Sequence, residues 1–241
     1  MALTKVDKTV IEATGTASAT TYLRGDGSWT AIASAGFSDV YSTDATATYT
    51  VPTDITKLIV IITGAGGGGA AGASGIVSGG GHAATTVIAR VTVVPTDTIT
   101  IAIGAGGTGG IAGGAANGVD GGASTFTHAS GSGSGSMSTI TAPGGKGYLY
   151  EAAQTAPTAG TVGANNEGIS ILGGYGSVSY ASRSGGATFW GGGGLGAIPA
   201  HQNPGTIGTA YGSGGGGGSA TTSYQAAGPG ANGVCFIMEY K

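Results

Sequence analysis

The stretch LIVIITGAGGGG, residues 58–69, decides the fold class of this chain. Its five consecutive aliphatic residues, Leu58 to Ile62, favour a β-strand that is covered on both faces. The strand pattern then stops at a run of glycines, which have no side chain to bury and lose the most backbone entropy on folding. The stretch therefore predicts a buried strand that leads directly into a glycine-rich connection.

Further strands are predicted on both sides of this stretch. Thr98–Ile103 alternates, with three isoleucines on one face, and no segment has an apolar period of 3.6 residues. The sequence thus predicts an all-β fold, an antiparallel β-sandwich-like domain with long glycine-rich loops. The other predicted elements are an extended segment and a strand in Phe37–Val51, a strand at Val87–Val94 with a turn at Pro95–Asp97, and a last strand, apolar on both faces, at Val234–Tyr240.

Glycine content divides the chain into regions. Residues 1–35 have ordinary glycine content and are interpreted as an N-terminal attachment or linker segment, followed by a glycine-rich β domain at 36–241. In that domain, strands at 48–103 and 234–240 are the predicted scaffold and 104–233 a glycine-rich insert. The insert has neither the collagen period nor a solenoid repeat. Its Gly-Gly runs could lie side by side in polyproline-II-like paths, because no side chain keeps their backbones apart.

Composition favours an oligomer and excludes some function classes. The chain has 241 residues, 54 of them glycine, and 40% are hydrophobic. A monomer with so many glycines has a weak core, which burial between subunits would strengthen. Eight basic residues and a net charge of −3 do not provide the basic surface that nucleic-acid binding needs. Low charge with moderate hydrophobicity also argues against intrinsic disorder.

The chain start and the single cysteine predict synthesis in a cytoplasm. The first residues lack the apolar region of a secretory signal, and the longest apolar run is too short to span a membrane. Cys235 has no partner for an intrachain disulfide and is interpreted as a small core residue.

Several short motifs have simpler structural interpretations. Gly64–Gly69 and Gly104–Gly109 each fit the G-x-G-x-x-G fingerprint, but neither is followed by a helix pattern and a ribose-binding acid. No cofactor is therefore predicted. Arg24-Gly25-Asp26 is interpreted as a glycine turn flanked by Leu23 and Trp29. No metal site is predicted, because the histidines are isolated from other ligands: His82, His128 and His201.

Acidic residues are too scarce to favour an enzyme. Glycoside hydrolysis needs two carboxylates about 5–9 Å apart. Between residues 121 and 238 only Glu151 and Glu167 are acidic, and both are expected in loops. The chain is therefore predicted to be non-enzymatic, with a polysaccharide depolymerase as the enzymatic alternative.

Three segments resemble bacteriophage tail-fibre proteins with a glycine-rich C-terminal domain. TTYLRGDGSW (20–29) is similar to a segment that precedes their terminal domains, TYTVPTDITKLIVIITGAGGGG (48–69) looks like the domain's opening, and GGGGGSATTSYQAAGPGANGVCFIMEY (214–240) resembles its close. The resemblance implies a homotrimeric virion tail component that binds the host receptor. The receptor would be a bacterial surface polysaccharide or an outer-membrane protein, and other tail proteins would hold the N-terminal segment.

Aromatic residues between the glycines are the candidates for receptor binding. Tyrosine and tryptophan faces with neutral hydrogen-bonding neighbours suit contacts with sugars or with protein loops. Phe189 and Trp190 are expected on a strand, so that their side chains point in opposite directions. The rival hypothesis is a purely structural fibre or collar protein. The candidate receptor-binding residues are Tyr148, Tyr150, Tyr175, Tyr180, Trp190 and Tyr211.

Overall fold

The chain divides into two compact units, Met1–Gly36 and Phe37–Lys241. A computed structural model describes residues 21–23, 29–31, 37–41, 46–72, 78–113, 116–131, 137–149, 154–178, 183–197, 203–219 and 225–240. In the first unit, β1 (Thr21–Leu23) pairs with β2 (Trp29–Ala31) in antiparallel register, with Leu23 opposite Trp29. The predicted glycine turn at Arg24-Gly25-Asp26 lies outside the described residues.

The second unit is built on two antiparallel sheets, which confirms the all-β prediction. Its strands are β3 (Phe37–Tyr41), β4 (Thr46–Thr50), β5 (Lys57–Thr63), β6 (Thr86–Thr92), β7 (Thr98–Ala102), β8 (Ser124–Ser130), β9 (Ile140–Ala142), β10 (Glu167–Ile171) and β11 (Val234–Tyr240). One sheet has the strand order β10-β6-β5-β11-β3 and the other β4-β7-β8-β9. The described part of the chain contains no helix, and so none that could cross a membrane.

The inner faces of the two sheets share one hydrophobic core. Val60 of β5, Ile101 of β7 and Phe126 of β8 are all fully buried in it. The outer face of β5 is only half-buried, at Ile59 and Ile61. The prediction that this strand is covered on both faces is therefore wrong for one face, because within the described chain no second layer covers that side fully. The last strand, β11, shows the same difference between its two faces.

Three strands form inside the region that was predicted as a glycine-rich insert. β8 and β9 complete the four-stranded sheet, and β10 adds to β6 at the edge of the five-stranded sheet. Glu167, expected in a loop, begins β10. These strands are hard to detect in the sequence because β8 has a single large apolar residue, Phe126, and β9 is only three residues long.

The glycine runs between the strands pack side by side in a hydrogen-bonded array. Every third N–H group of residues 64–71 donates to the same neighbour: those of Gly64, Gly67 and Ala70 donate to carbonyls in 79–85 at 2.9 to 3.2 Å. This three-residue period is that of the polyproline-II helix. Residues 64–71 thus have six neighbouring segments: three accept its N–H groups (79–85, 116–122 and 228–231) and three donate to its carbonyls (107–110, 145–148 and 215–218).

Close packing of backbones explains why these positions are glycine. A Cβ atom on Gly66 or Gly68 would lie 1.9 or 2.0 Å from the carbonyl oxygen of a neighbouring segment. No real side chain fits at such a distance. We call this array the glycine bundle; its segments are 64–72, 78–85, 104–113, 116–123, 143–149, 172–178, 183–187, 191–197, 203–210, 212–219 and 225–233.

The glycine bundle has a sheet end and a distal end. Segments such as 64–72 and 104–113 leave strands β5 and β7, and their antiparallel neighbours return to β6 and β8. Outgoing segments therefore end, and returning segments begin, at the end remote from the sheets. The residues between these segments lie outside the described part of the chain: 73–77, 114–115, 150–153, 179–182, 198–202 and 220–224.

Candidate functional site

Phe189 and Trp190 sit at the tip of a tight turn at the sheet end of the glycine bundle. Thr188 and Gly191 exchange backbone hydrogen bonds of 2.9 and 3.3 Å across the turn, and Gly191 has a φ of +148°. The prediction that the two aromatic residues lie on a strand and point in opposite directions is wrong. Their rings meet edge to face at 5.0 Å, because a turn does not alternate side chains between two faces.

Trp190 is held in place from two sides. Its indole Nε1 donates a 2.8 Å hydrogen bond to Oγ1 of Thr63, the last residue of β5. Its ring centroid lies 4.7 Å from that of Phe236, on the outer face of β11. Tyr211 completes the group, with its ring centroid 6.5 Å from those of both Trp190 and Phe236. We call Phe189, Trp190, Tyr211 and Phe236 the aromatic cluster.

An open groove of ≈ 670 Å³ lies beside the aromatic cluster. Trp190 and Tyr211 form its aromatic walls, and residues 207–210, Ala231 and Asn232 line the remainder. This volume lies within the range of about 300–1,000 Å³ that is common for small-ligand sites. No lining residue carries a charged side chain.

Unused hydrogen-bond donors border this groove. Asn232 accepts a 2.9 Å hydrogen bond from the Gly106 N–H through Oδ1, and its Nδ2 has no partner among the described residues. The backbone N–H groups of Ile207, Thr209 and Asn232 also have no acceptor within the described part of the chain. The groove thus combines aromatic surface with neutral polar groups.

The other predicted site residues lie elsewhere. Tyr148 packs its ring over Gly79, and burial raises the pKa of its hydroxyl. Tyr175 is 61% exposed and makes an edge contact with His82 at 5.0 Å. Tyr150 and Tyr180 lie outside the described residues. The structure therefore brings together Trp190 and Tyr211, and it separates them from Tyr148 and Tyr175, which lie against segment 78–85.

Sequence reasoning missed Phe236, Asn232 and residues 207–210 as neighbours of Trp190. Phe236 is far from Trp190 in sequence and reads as part of a core strand. The contribution of 207–210 comes from backbone that the register of the glycine bundle places in the groove. No local sequence signal encodes that register.

A family model described as a glycine-rich domain matches residues 42–240. The chain belongs to this glycine-rich domain family. The match covers both the glycine bundle and nearly all of the two sheets, so the family model describes the bundle and the sheets together. A search of curated proteins found no match.

The glycine-rich domain holds few ionisable side chains, and most of those described are paired. Glu167 forms a 2.5 Å ion pair with Arg90, both largely exposed, while Glu151 lies outside the described residues. Asp120 pairs with Lys146 at 2.8 Å. Burial alone would raise the pKa of Asp120, but hydrogen bonds from Lys146 and the Gly147 N–H outweigh burial and lower it.

Two buried groups stand apart from these pairs. His82 is buried inside the glycine bundle, and desolvation lowers the pKa of its imidazole. Cys235 is buried in the core, where desolvation raises the pKa of its thiol strongly. The described residues contain no cluster of three or more histidine, cysteine, aspartate or glutamate side chains that could hold a metal ion.

Proposed function

We propose that this glycine-rich domain protein is a component of a bacteriophage tail fibre that binds the bacterial host surface without catalysing a reaction. The proposal takes its support from the tail-fibre resemblance of residues 20–29, 48–69 and 214–240 and from the form of the glycine bundle. Binding residues are commonly carried on loops and turns that a rigid scaffold positions. In this chain the hydrogen-bonded bundle is such a scaffold.

One observation carries the proposal: large apolar side chains are exposed along a closely packed backbone array. Soluble monomers rarely expose contiguous apolar surface unless it contacts a partner. Tyr175 and Tyr211 are 61% and 40% exposed, although each lies beside a fixed neighbouring ring. The exposed set also includes Ile111, Val119, Leu172, Val178, Phe189, Leu195 and Ile207.

The proposed assembly is a homotrimer in the virion tail, with the N-terminal segment attached to other tail proteins. Support comes from the outer face of the five-stranded sheet, where Ile59, Ile61 and Met238 are half-buried and Ile169 is 58% exposed. Burial of such residues between subunits would add the apolar area that a glycine-rich monomer lacks.

Adsorption and melting, measured on the same preparations, test the proposal. We expect the labelled full chain to bind at least one strain in a panel of bacteria. Tyr175→Ala should leave the melting temperature unchanged and weaken adsorption, by about 2 kcal/mol if Tyr175 is a binding hot spot. Thr53→Ala, which shortens an exposed polar side chain in the turn that follows β4, is the control and should alter neither quantity.

Two results would favour the rival functions. If every variant that loses adsorption also melts earlier, the exposed aromatic residues are structural, and the protein is a fibre or collar component. If the wild-type chain releases reducing ends from purified host capsule and Glu167→Gln abolishes that release, the protein is a depolymerase.

A further inference from the structure

We propose that the groove between Trp190 and Tyr211 binds a neutral pyranose unit of a cell-surface glycan. This inference rests on the proposed function, because it names the receptor class for one surface of the protein. The groove lies at the sheet end of the glycine bundle, since Trp190 is bonded to the last residue of β5. It is therefore remote from the distal end of the bundle.

The two aromatic walls form a corner with a fixed angle. The ring planes of Trp190 and Tyr211 are inclined at 88° to each other. The hydrogen bond to Thr63 and the contact with Phe236 fix the Trp190 ring, so little side-chain freedom would be lost on binding. A pyranose has an apolar C–H face that stacks on such a ring and an edge of hydroxyl groups that remain free to hydrogen-bond.

Small residues leave space for a ring in this corner. Gly208, Ala210 and Ala231 are among the lining residues, so three positions of the groove wall carry at most a methyl group. The free donors described above, Asn232 Nδ2 and the nearby N–H groups, can bond to the acceptor oxygens of hydroxyl groups. Two aromatic rings combined with several neutral donors suit a sugar better than a purely apolar ligand.

The lack of charge selects against ionic sugars. A carboxylate or ammonium group placed here would lose solvation without gaining a charged partner, because the lining residues carry none. We therefore expect the groove to prefer neutral hexoses and N-acetylhexosamines over uronic acids and amino sugars.

Titration of the full chain with simple glycosides tests this inference. The probes are the methyl glycosides of glucose, galactose and N-acetylglucosamine, with glucuronate and glucosamine as charged counterparts. Saturation-transfer NMR measures their binding. At least one neutral glycoside should bind with a dissociation constant of about 1 mM. Its charged counterpart should bind at least about tenfold more weakly.

Variants at Tyr211 test the location. Tyr211→Ala should weaken binding about tenfold or more, whereas Tyr211→Phe retains the ring and should bind within about threefold of wild type. Tyr240→Ala is the matched control, since this tyrosine of β11 is 38% exposed against 40% for Tyr211 and lies outside the groove lining, and it should leave glycoside binding unchanged. Trp190 is unsuitable for truncation, since its loss would also uncover Phe236.

Failure of this inference can be told apart from failure of the proposed function. The inference is overturned if no neutral glycoside binds, if Tyr211→Ala binds as wild type does, or if adsorption to cells survives periodate oxidation of their glycans and is lost on protease treatment. In the last case adhesion itself stands. If glycosides bind at Tyr211 but the chain adsorbs to no bacterial strain, the groove is supported and the proposed function falls.

Discussion

Thr96 is a β-branched residue in a backbone conformation that favours glycine. Its φ is +69°, and the Asp97 N–H donates to the Val94 carbonyl across the turn at 3.1 Å. A turn with Pro95 second and a positive φ third is of type II, which normally has glycine at that third position. The exposed Thr96 side chain occupies a position where it is strained, at a cost on the order of 1–3 kcal/mol.

We therefore expect Thr96→Gly to raise the free energy of unfolding by about 1 kcal/mol, as relief of strain exceeds the added flexibility of the unfolded chain. Urea denaturation would measure the change. The chain provides a matched control in its other Pro-Thr-Asp turn, where Thr53 is exposed and has no positive φ. Thr53→Gly should destabilise the fold, by about 0.4–1 kcal/mol. Equal effects at both sites would contradict the argument.

His82 makes the stability of the glycine bundle sensitive to acid. Desolvation lowers its pKa in the folded protein despite the opposing effects of Asp120 and a hydrogen bond to the Thr155 backbone. Below the ordinary pKa of 6.5 the unfolded chain takes up more protons than the folded one. The contribution of His82 to the free energy of unfolding is thus fully present above that pH. It decreases as the pH drops from there toward the lowered pKa of the folded state.

The melting temperature should accordingly decrease between about pH 7.5 and about pH 5.5. In His82→Gln, which cannot titrate, the decrease should be smaller, whatever its melting temperature at neutral pH. Protonation of Asp120 would lower the melting temperature further only at lower pH, since the pKa of Asp120 is itself depressed in the folded protein. An identical decrease in both proteins would assign the acid sensitivity to another group.

At the scale of elements, the glycine-rich segments are packed elements of the fold, as the strands are. Gly68 lies in the central segment, where an added Cβ would be 2.0 Å from the Thr108 carbonyl oxygen. Gly192 lies at the start of an outer segment, where the nearest atom to an added Cβ is 4.0 Å away. Substitutions at these two positions distinguish a glycine that close backbone packing requires from a glycine that it does not require.

Gly68→Ala should lower the free energy of unfolding by about 1–3 kcal/mol or more, because neighbouring backbone must move apart. Gly192→Ala should leave it unchanged or raise it by up to about 1 kcal/mol through reduced freedom of the unfolded chain. Thermal melting compares the two variants directly. If Gly68→Ala melts like the wild type, the bundle is not packed as described.

Sequence patterns predicted the strands that have large apolar residues and missed those that do not. β5, β7 and β11 follow from aliphatic runs and alternation, whereas β8 and β9 have one large apolar residue each, Phe126 and Ile140. The side-by-side packing of glycine runs follows from their composition. Which run neighbours which does not, since identical glycines carry no information about register. For the same reason the groove could not be located, although Trp190 and Tyr211 were both candidates.

At the scale of the whole molecule, subunit association is the central expectation. Light scattering of the purified chain at micromolar concentration should give a mass about three times the subunit mass of 22.6 kDa. The physical reason is the apolar surface left on the outer sheet face and along the glycine bundle. A stable monomer under these conditions would contradict the prediction and weaken the avidity on which weak single contacts depend.

The six-neighbour arrangement around residues 64–71 has a mechanical consequence. A β-sandwich is bonded within each sheet but held between sheets by side-chain packing alone, so it has a plane along which it can be pried apart. In the glycine bundle, hydrogen bonds run outward from one segment in several lateral directions. No plane through the central segments avoids breaking them. A force applied along the segments therefore acts as shear on many hydrogen bonds at once. We expect the glycine bundle to resist such a force better than two sheets held together only by side-chain packing.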